Sequence, residues 1–245
     1  MKAKMYALAL VAIGVFFTLP AFAADPSARP WTGPYVGING GYGWGTTRLQ
    51  FVPGGSGFDG ANLFSRDLTG SNLHKSIDGG IVGGHAGYNY QTPFNVVLGL
   101  DVAVDWADVG GVKKNAFAPL TPGYTQYNTK VHWFGTATPK IGVALSNFLP
   151  YVKGGLAFGG VESRLKTTSF GGFRFADDND HIGWTIGGGI EYKLRNFIIG
   201  VEYMYIDLGT QHYGGLVTPT NTWTVEYKLR PTFGSVVGRI SYKFN

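Results

Sequence analysis

Bulky apolar residues recur at every second position along most of this chain, with glycine or a small polar residue between them. Tyr35 to Gly45 sets Val36, Ile38, Tyr42 and Trp44 against Tyr35, Gly37, Asn39, Gly41 and Gly43. Gly80 to Tyr90 sets Val82, Ala86, Tyr88 and Tyr90 against Gly83, His85, Gly87 and Asn89. Val96 to Trp106 sets Val96, Leu98, Leu100, Val102, Val104 and Trp106 against Gly99, Asp101, Ala103 and Asp105. Val131 to Leu145 carries Val131, Trp133, Ile141, Val143 and Leu145 on its bulky side, and Tyr151 to Gly160 carries Val152, Leu156 and Phe158. Ile182, Trp184, Ile186, Ile190, Tyr192 and Leu194 then oppose Gly183, Thr185, Gly187, Gly189, Glu191 and Lys193. Phe197, Ile199, Val201, Tyr203 and Tyr205 form the next bulky row, and Thr232 to Phe244 closes with Val236, Ile240, Tyr242 and Phe244. A period of two is that of a β-strand whose faces meet different surroundings. Eight strands are predicted, each reaching the roughly 9 to 11 residues that a tilted membrane-crossing strand needs.

The connections are of two kinds, and they alternate. Gln91 to Asn95, Ser146 to Pro150 and Arg195 to Asn196 are tight turns, whereas Thr47 to Asp78, Ala107 to Lys130, Val161 to His181 and Thr210 to Pro231 are long. This asymmetry predicts an all-β fold, an eight-stranded antiparallel up-and-down transmembrane β-barrel with short periplasmic turns and long extracellular loops.

Alternation alone fits a soluble barrel with its apolar face inside equally well. The small-residue face decides between them. A soluble barrel would dress that face for water, but here it is mostly glycine, alanine and single polar residues, as a narrow interior requires. The bulky face carries almost no charge, as expected if Lys or Arg near the bilayer midplane costs about 2–4 kcal/mol. A closed barrel also satisfies every strand N–H and C=O where the solvent offers no partner. Val36, Ile38, Leu98, Leu100, Val102, Leu156, Ile186, Ile190, Ile199, Val201, Val236 and Ile240 are therefore expected to face lipid. Trp44, Tyr88, Trp106, Trp133, Trp184, Tyr192, Tyr203, Tyr205, Tyr242 and Phe244 are expected in aromatic girdles at the strand ends.

The remaining composition narrows the class. Lys2 and Lys4, the apolar Met5 to Leu19 and the small-x-small Ala21-Phe22-Ala23 predict a secretory signal peptide over residues 1–23, with the barrel over 24–245. Removing Lys2 and Lys4 lowers the formal charge from +5 to +3, and no concentrated basic patch points to nucleic acid. There is no cysteine, so disulfides and thiolate metal sites are excluded.

The inward parity carries charges of both signs on neighbouring strands. Asp101 is expected to face the strand of Lys140, Lys153 that of Glu191, and Glu202 that of Arg239. Paired charges among small residues predict a lumen largely plugged, in keeping with barrels of about eight strands. A narrow porin or small-solute channel is the alternative.

WTGPYVGINGGYGWG, GGIVGGHAGYNYQTPFNVVLGLDVAVDWAD, LPYVKGGLAFG and GWTIGGGIEYKLRNFIIGVEYMYIDLG together resemble the outer-membrane immunogenic, porin-like β-barrel proteins of Gram-negative bacteria, related to the OmpA transmembrane domain. The resemblance covers most of the chain outside the long loops. It implies an abundant surface protein of the outer membrane with no catalytic residues, exported through the periplasm, and some such relatives are associated with haemin binding or host contact. Two departures stand out. Thr138-Pro139-Lys140 replaces an Arg-Gly-Arg-like run, which predicts a bulge or a missing bond at Pro139. Phe244 is penultimate, ahead of Asn245, where such chains end on the aromatic residue that the barrel insertion machinery reads on the C-terminal strand.

No metal or cofactor is implied. His85 is expected to be a bonded lumen residue and His132 a strand-end residue. The loop residues His74, His181 and His212, with Tyr124, Tyr127 and Tyr213, would ligate haem iron only if the loops converge. Phe58, Leu63, Phe64 and Phe117 give the loops apolar grip, and loops of this size on a rigid barrel are where a host or surface ligand would bind. Outer-membrane lipid and lipopolysaccharide are the expected partners of the wall. The favoured role is structural and surface-interacting, and the remote alternatives are a haemin-binding surface protein and a lipid-acting barrel enzyme.

Overall fold

The computed structural model describes residues 30–51, 72–116, 124–167, 173–216 and 224–244. The signal segment 1–23, Phe58, Leu63, Phe64, Phe117 and Asn245 lie outside the described residues, as do the side chains of His74, Tyr124, Tyr127 and Tyr213. The strands are β1 (Gly33–Phe51), β2 (Asn72–Gln91), β3 (Val96–Ala116), β4 (Tyr124–Val143), β5 (Phe148–Thr167), β6 (Phe173–Leu194), β7 (Phe197–Asp207), β8 (Gln211–Leu216) and β9 (Thr224–Lys243). β1 to β7 pair antiparallel in order, β7 and β8 both pair with β9, and β9 pairs with β1, so β1 to β7 and β9 close into a barrel while β8 is paired on its β9 side.

The barrel has eight walls rather than nine. β7 pairs with β9 from Phe197↔Tyr242 to Asp207↔Thr232, and β8 resumes along the same strand at Gln211↔Leu229. β7 and β8 are thus two pieces of one wall, parted at Leu208, Gly209 and Thr210. Gly209 has φ of 72°, a left-handed conformation that glycine adopts without steric penalty, and Leu208 turns fully inward.

The tight turns are hairpins whose geometry needs a residue with positive φ, supplied by Asn95, Ser146 and Arg195 at 61°, 57° and 56°. Thr92 N–H donates to the Val96 carbonyl at 2.8 Å, and the Val96 N–H donates back to Thr92 Oγ1 at 3.2 Å.

Strand length departs from expectation. β1 to β6 and β9 run 19 to 22 residues, about twice what crosses a bilayer. Much of the segments expected as loops is strand: Thr47 to Phe51, Asn72 to Asp78, Ala107 to Ala116, Tyr124 to Lys130, Val161 to Thr167, Phe173 to His181, and Thr224 to Pro231. Above the apolar band the outward face meets water, so bulky–small contrast is no longer required, while the backbone ladder continues.

At Pro139 on β4 the missing bond is the outcome that occurs, while Val131 departs from its expected face. Pro139 holds its register opposite Leu100 on β3, while Thr138 and Pro139 drop out of the pairing with β5 between Ala137↔Leu156 and Lys140↔Lys153. The bond is missing and no bulge forms there. The bulge lies instead at His132, between Val131↔Val161 and Trp133↔Gly160. One extra residue reverses parity, so Val131, expected on the bulky outer row, is fully buried inside.

Inside the bore, apolar residues form two separate layers. Near the periplasmic turns, Trp31, Val97, Ala144, Leu149 and Ile198 pack together. Towards the outer end a larger group includes Ile77, Ile81, Phe134, Met204, Ile206 and Phe233, with Phe134 and Phe233 edge to face at 5.3 Å.

Candidate functional site

Between these two layers lies a plane of charge. Asp101, Lys140, Lys153, Glu191, Glu202 and Arg239 come from β3, β4, β5, β6, β7 and β9 and are all buried. Each has a glycine as a direct register partner: Gly87 beside Asp101, Gly99 beside Lys140, Gly187 beside Lys153, Gly189 beside Glu202, and Gly200 beside both Glu191 and Arg239. The glycine face supplies the volume into which long side chains extend. A Cβ on Gly87 would stand 2.4 Å from Tyr35 Cζ, so only glycine there lets the Tyr35 ring cross to its acceptor on Asp101.

The charges pair across the bore. Arg239 Nη2 is 2.6 Å from Asp101 Oδ2, and Arg239 Nη1 bonds Glu202 Oε2. Lys153 Nζ lies 2.8 Å from Asp101 Oδ1 and 2.9 Å from Glu202 Oε2, and Lys140 Nζ lies 3.1 Å from Glu191 Oε1. Tyr35 donates to Asp101 at 2.8 Å and Tyr151 to Glu202 at 2.6 Å. Lys140 Nζ also sits over the Tyr35 and Tyr151 rings, 5.1 and 4.7 Å from their centroids. Three carboxylates meet three cations, so the layer is neutral when all are ionised.

Strand order alone sets Asp101 beside Lys140's strand and Lys153 beside Glu191's. The contacts formed differ, since Lys140 reaches Glu191 while Lys153 bridges Asp101 and Glu202. In so narrow a bore a lysine spans to strands two or more places away, so adjacency in sequence order does not choose the partner.

A second polar chain adjoins this plane. His85 Nε2 is 2.7 Å from Ser241 Oγ, His85 Nδ1 is 3.1 Å from Asn39 Oδ1, and Asn39 Nδ2 bonds Asp105. A bonded His85 is legible in the sequence, but this Ser–His–Asn–Asp order is not, because its members lie on β9, β2, β1 and β3 and meet only when the barrel closes. His181, expected in a loop, is a fully buried residue of β6 with Nδ1 3.2 Å from the Leu208 carbonyl oxygen; His212 is exposed on β8.

The periplasmic mouth is filled by the segment ahead of β1. Trp31 is fully buried; its backbone N–H donates to Gln91 Oε1 at 3.1 Å and its indole N–H to the Ser146 carbonyl at 3.3 Å.

Outside, every residue expected to face lipid is solvent-accessible on the outer wall, from Ile38 at 67% to Val236 at 39%, with Val102 part-exposed. Of the girdle residues, Tyr242 and Phe244 lie at the periplasmic end of β9, while Trp44, Trp106, Trp133, Trp184, Tyr203 and Tyr205 lie towards the outer end. Tyr88 and Tyr192 are part-exposed near the periplasmic turns. Between the turns and Arg48, Asp78, Asp108, Lys130, Glu162, Asp180 and Arg230, the described outward rows carry Asp207 and no other Asp, Glu, Lys or Arg, and Asp207 is buried against Arg230. Beyond that limit charges pair laterally. Lys130 is 2.6 Å from Asp108 and holds that carboxyl below its ordinary value, through a hydrogen bond and its charge.

The outer membrane protein beta-barrel domain model matches residues 8–230. The chain belongs to that family. It is 34% identical to the 31 kDa outer-membrane immunogenic protein of Brucella melitensis over 98% of this chain and 100% of that protein. It is 28% identical to the 25 kDa outer-membrane immunogenic protein of Brucella canis, covering 80% of this chain and 81% of the relative. Among solved structures, the outer membrane protein OprG of Pseudomonas aeruginosa aligns over 87% of this chain and 97% of its own, with a TM-score of 0.46 and 14% identity. This barrel is accordingly an outer-membrane protein of a Gram-negative bacterium, with its short turns in the periplasm and its long strands projecting outward.

Proposed function

We propose that this barrel is a structural and surface-contact protein whose bore is closed to solutes. The observation that carries the reading is the order of layers inside: apolar residues around Trp31, then a neutral plane of paired charge, then apolar residues around Phe134 and Phe233. A solute would have to pass all three. A cavity of about 20 Å³ beside Asp105 and Arg239 has room for about one water.

The outward apolar rows supply the contact with lipid, and the girdle residues sit at its two interfaces. β9, with Tyr242 near its end and Phe244 directly after it, is the strand offered to the insertion machinery. A catalytic role is not favoured: Ser241 and His85 are buried, and the cavity beside Asp105 is lined by neither. Surface contact is assigned to the outer end, where the strands extend well beyond the charge-free band.

Planar-bilayer recording of the purified barrel tests the closed bore. Silence under applied voltage is the expected result. Steady conductance that falls with the size of the permeant ion would establish the narrow-pore alternative.

A further inference from the structure

Ionisable residues just above the outer girdle divide unequally around the wall. On β3 to β5 the basic side chains lie beside acids: Lys130 with Asp108, and both His132 and Arg164 with Glu162. The seam where β1 closes on β9 is different. There Arg48 and Arg230 are direct register partners, both exposed, and the next outward positions place Gln50 opposite Lys228 and His212 opposite Lys228 from the other side. Like charges directly opposite on paired strands are destabilising. Arg230 is paired with the buried carboxylate of Asp207, its Nε 3.2 and 3.1 Å from the two oxygens and its Nη2 bonded to Oδ2, whereas Arg48 and Lys228 have no ion-pair partner among the described residues.

The position of this seam selects its counter-ion. Going up β1 the outward row reads Trp44, Thr46, Arg48, and up β9 it reads Gly234, Thr232, Arg230, Lys228. Arg48 lies four residues beyond Trp44, roughly 13 Å along the strand and less in height because barrel strands tilt. Guanidinium groups on long stems at this level reach the plane of the lipid headgroups and present the forked donors that match phosphate oxygens. They lie on the outer wall, facing where lipid packs, and not at the far tips of the strands.

We propose that the β1–β9 seam binds the phosphate groups of an outer-leaflet glycolipid, lipopolysaccharide, with Arg48 and Arg230 as the paired ligands and Lys228 as a flanking cation. The site rests on the reading that the outer wall meets lipid. The bound phosphate supplies the counter-charge that Arg48 and Lys228 lack and so stabilises the barrel at its closing seam.

The test uses the detergent-folded full chain with purified bisphosphorylated lipid A, bound lipid being counted by native mass spectrometry. Arg48→Gln, which breaks no described contact, should weaken lipid A binding about tenfold, and Arg48→Gln with Arg230→Gln further still. Lys130→Gln, at a paired cation on another wall, should leave it unchanged. Lipid A stripped of its phosphates should bind the wild type no better than it binds the double variant. Equal binding by wild type and Arg48→Gln would overturn the site, as would displacement of lipid A by equimolar inorganic phosphate or a sulfated oligosaccharide, which would mark a site for soluble anions. A heat-modifiability gel in plain phosphatidylcholine vesicles separates this from failure of the lipid-facing wall: there Arg48→Gln and Lys130→Gln should fold as the wild type does, and a wild type that does not insert would indict the wall itself.

Discussion

Lys140 and Lys153 are direct register partners on β4 and β5, yet their ammonium groups go to different acids: Lys140 to Glu191 at 3.1 Å and Lys153 to Asp101 at 2.8 Å. Two like charges side by side in a narrow bore must diverge, and the glycines on neighbouring strands leave each a direction in which to do so. Removing one member of a buried pair leaves an uncompensated charge, at about 3–5 kcal/mol, whereas removing both is often close to neutral. Lys140→Met should therefore destabilise the barrel by about that amount, and Lys140→Met with Glu191→Met by much less. Urea unfolding in lipid vesicles, followed by tryptophan fluorescence, reads both. A double variant as unstable as the two singles summed would count against a coupled pair.

The two faces of one strand can be separated by adjacent substitutions. Leu100 is 45% exposed on the outer wall, and Asp101 beside it is fully buried in the charge plane. Leu100→Arg should lose about 2–4 kcal/mol if it lies near the bilayer midplane, and the loss should shrink in detergent relative to vesicles. Asp101→Asn should be equally harmful in both, because its partners Arg239 and Lys153 are inside the bore. A Leu100→Arg protein indifferent to lipid would contradict the assignment of faces.

Trp31, two residues ahead of β1, ties the chain to the base of the bore. Its ring is buried against Val97, Leu149 and Ile198, so Trp31→Ala should cost about 3–5 kcal/mol, while Trp31→Phe, which keeps most of the volume, should cost less. Denaturant midpoints of the two variants decide the matter. If Trp31→Ala matched the wild type, the segment would be a passive tail.

At the outer end, Glu162 is held below its ordinary value of 4.5, first by the hydrogen bond with His132, against the opposing effect of burial, and then by Arg164. A carboxyl depressed in the folded state contributes stability above its unfolded value and loses it as pH falls through the folded one. His132→Ala should therefore move the Glu162 titration upward, measurable by carbon-13 NMR of the labelled side chain. An unmoved titration would remove His132 as the cause.

Several features were legible in sequence because they depend on local alternation. Ile38, Leu100, Ile186 and Ile240 were placed on the outer row from parity alone, and six inward charges were marked from the opposite parity. Other features were not. Val131 read as an outward residue, since the bulge at His132 that reverses its parity is visible only in the pairing with β5. Ile77, Phe134 and Phe233 inside the bore could not be told from outer-wall residues near strand ends, because size separates the faces only where lipid demands it.

Sequence by itself determined the number of walls, their up-and-down order and which side of each carries the bulk, because a period of two and the length of each connection are properties of the chain taken one segment at a time. Tertiary structure alone decided which charges meet, how far the strands run beyond the membrane, and that Arg48 faces Arg230. Those depend on closure and register, which bring residues nearly two hundred positions apart to adjacent places on one sheet.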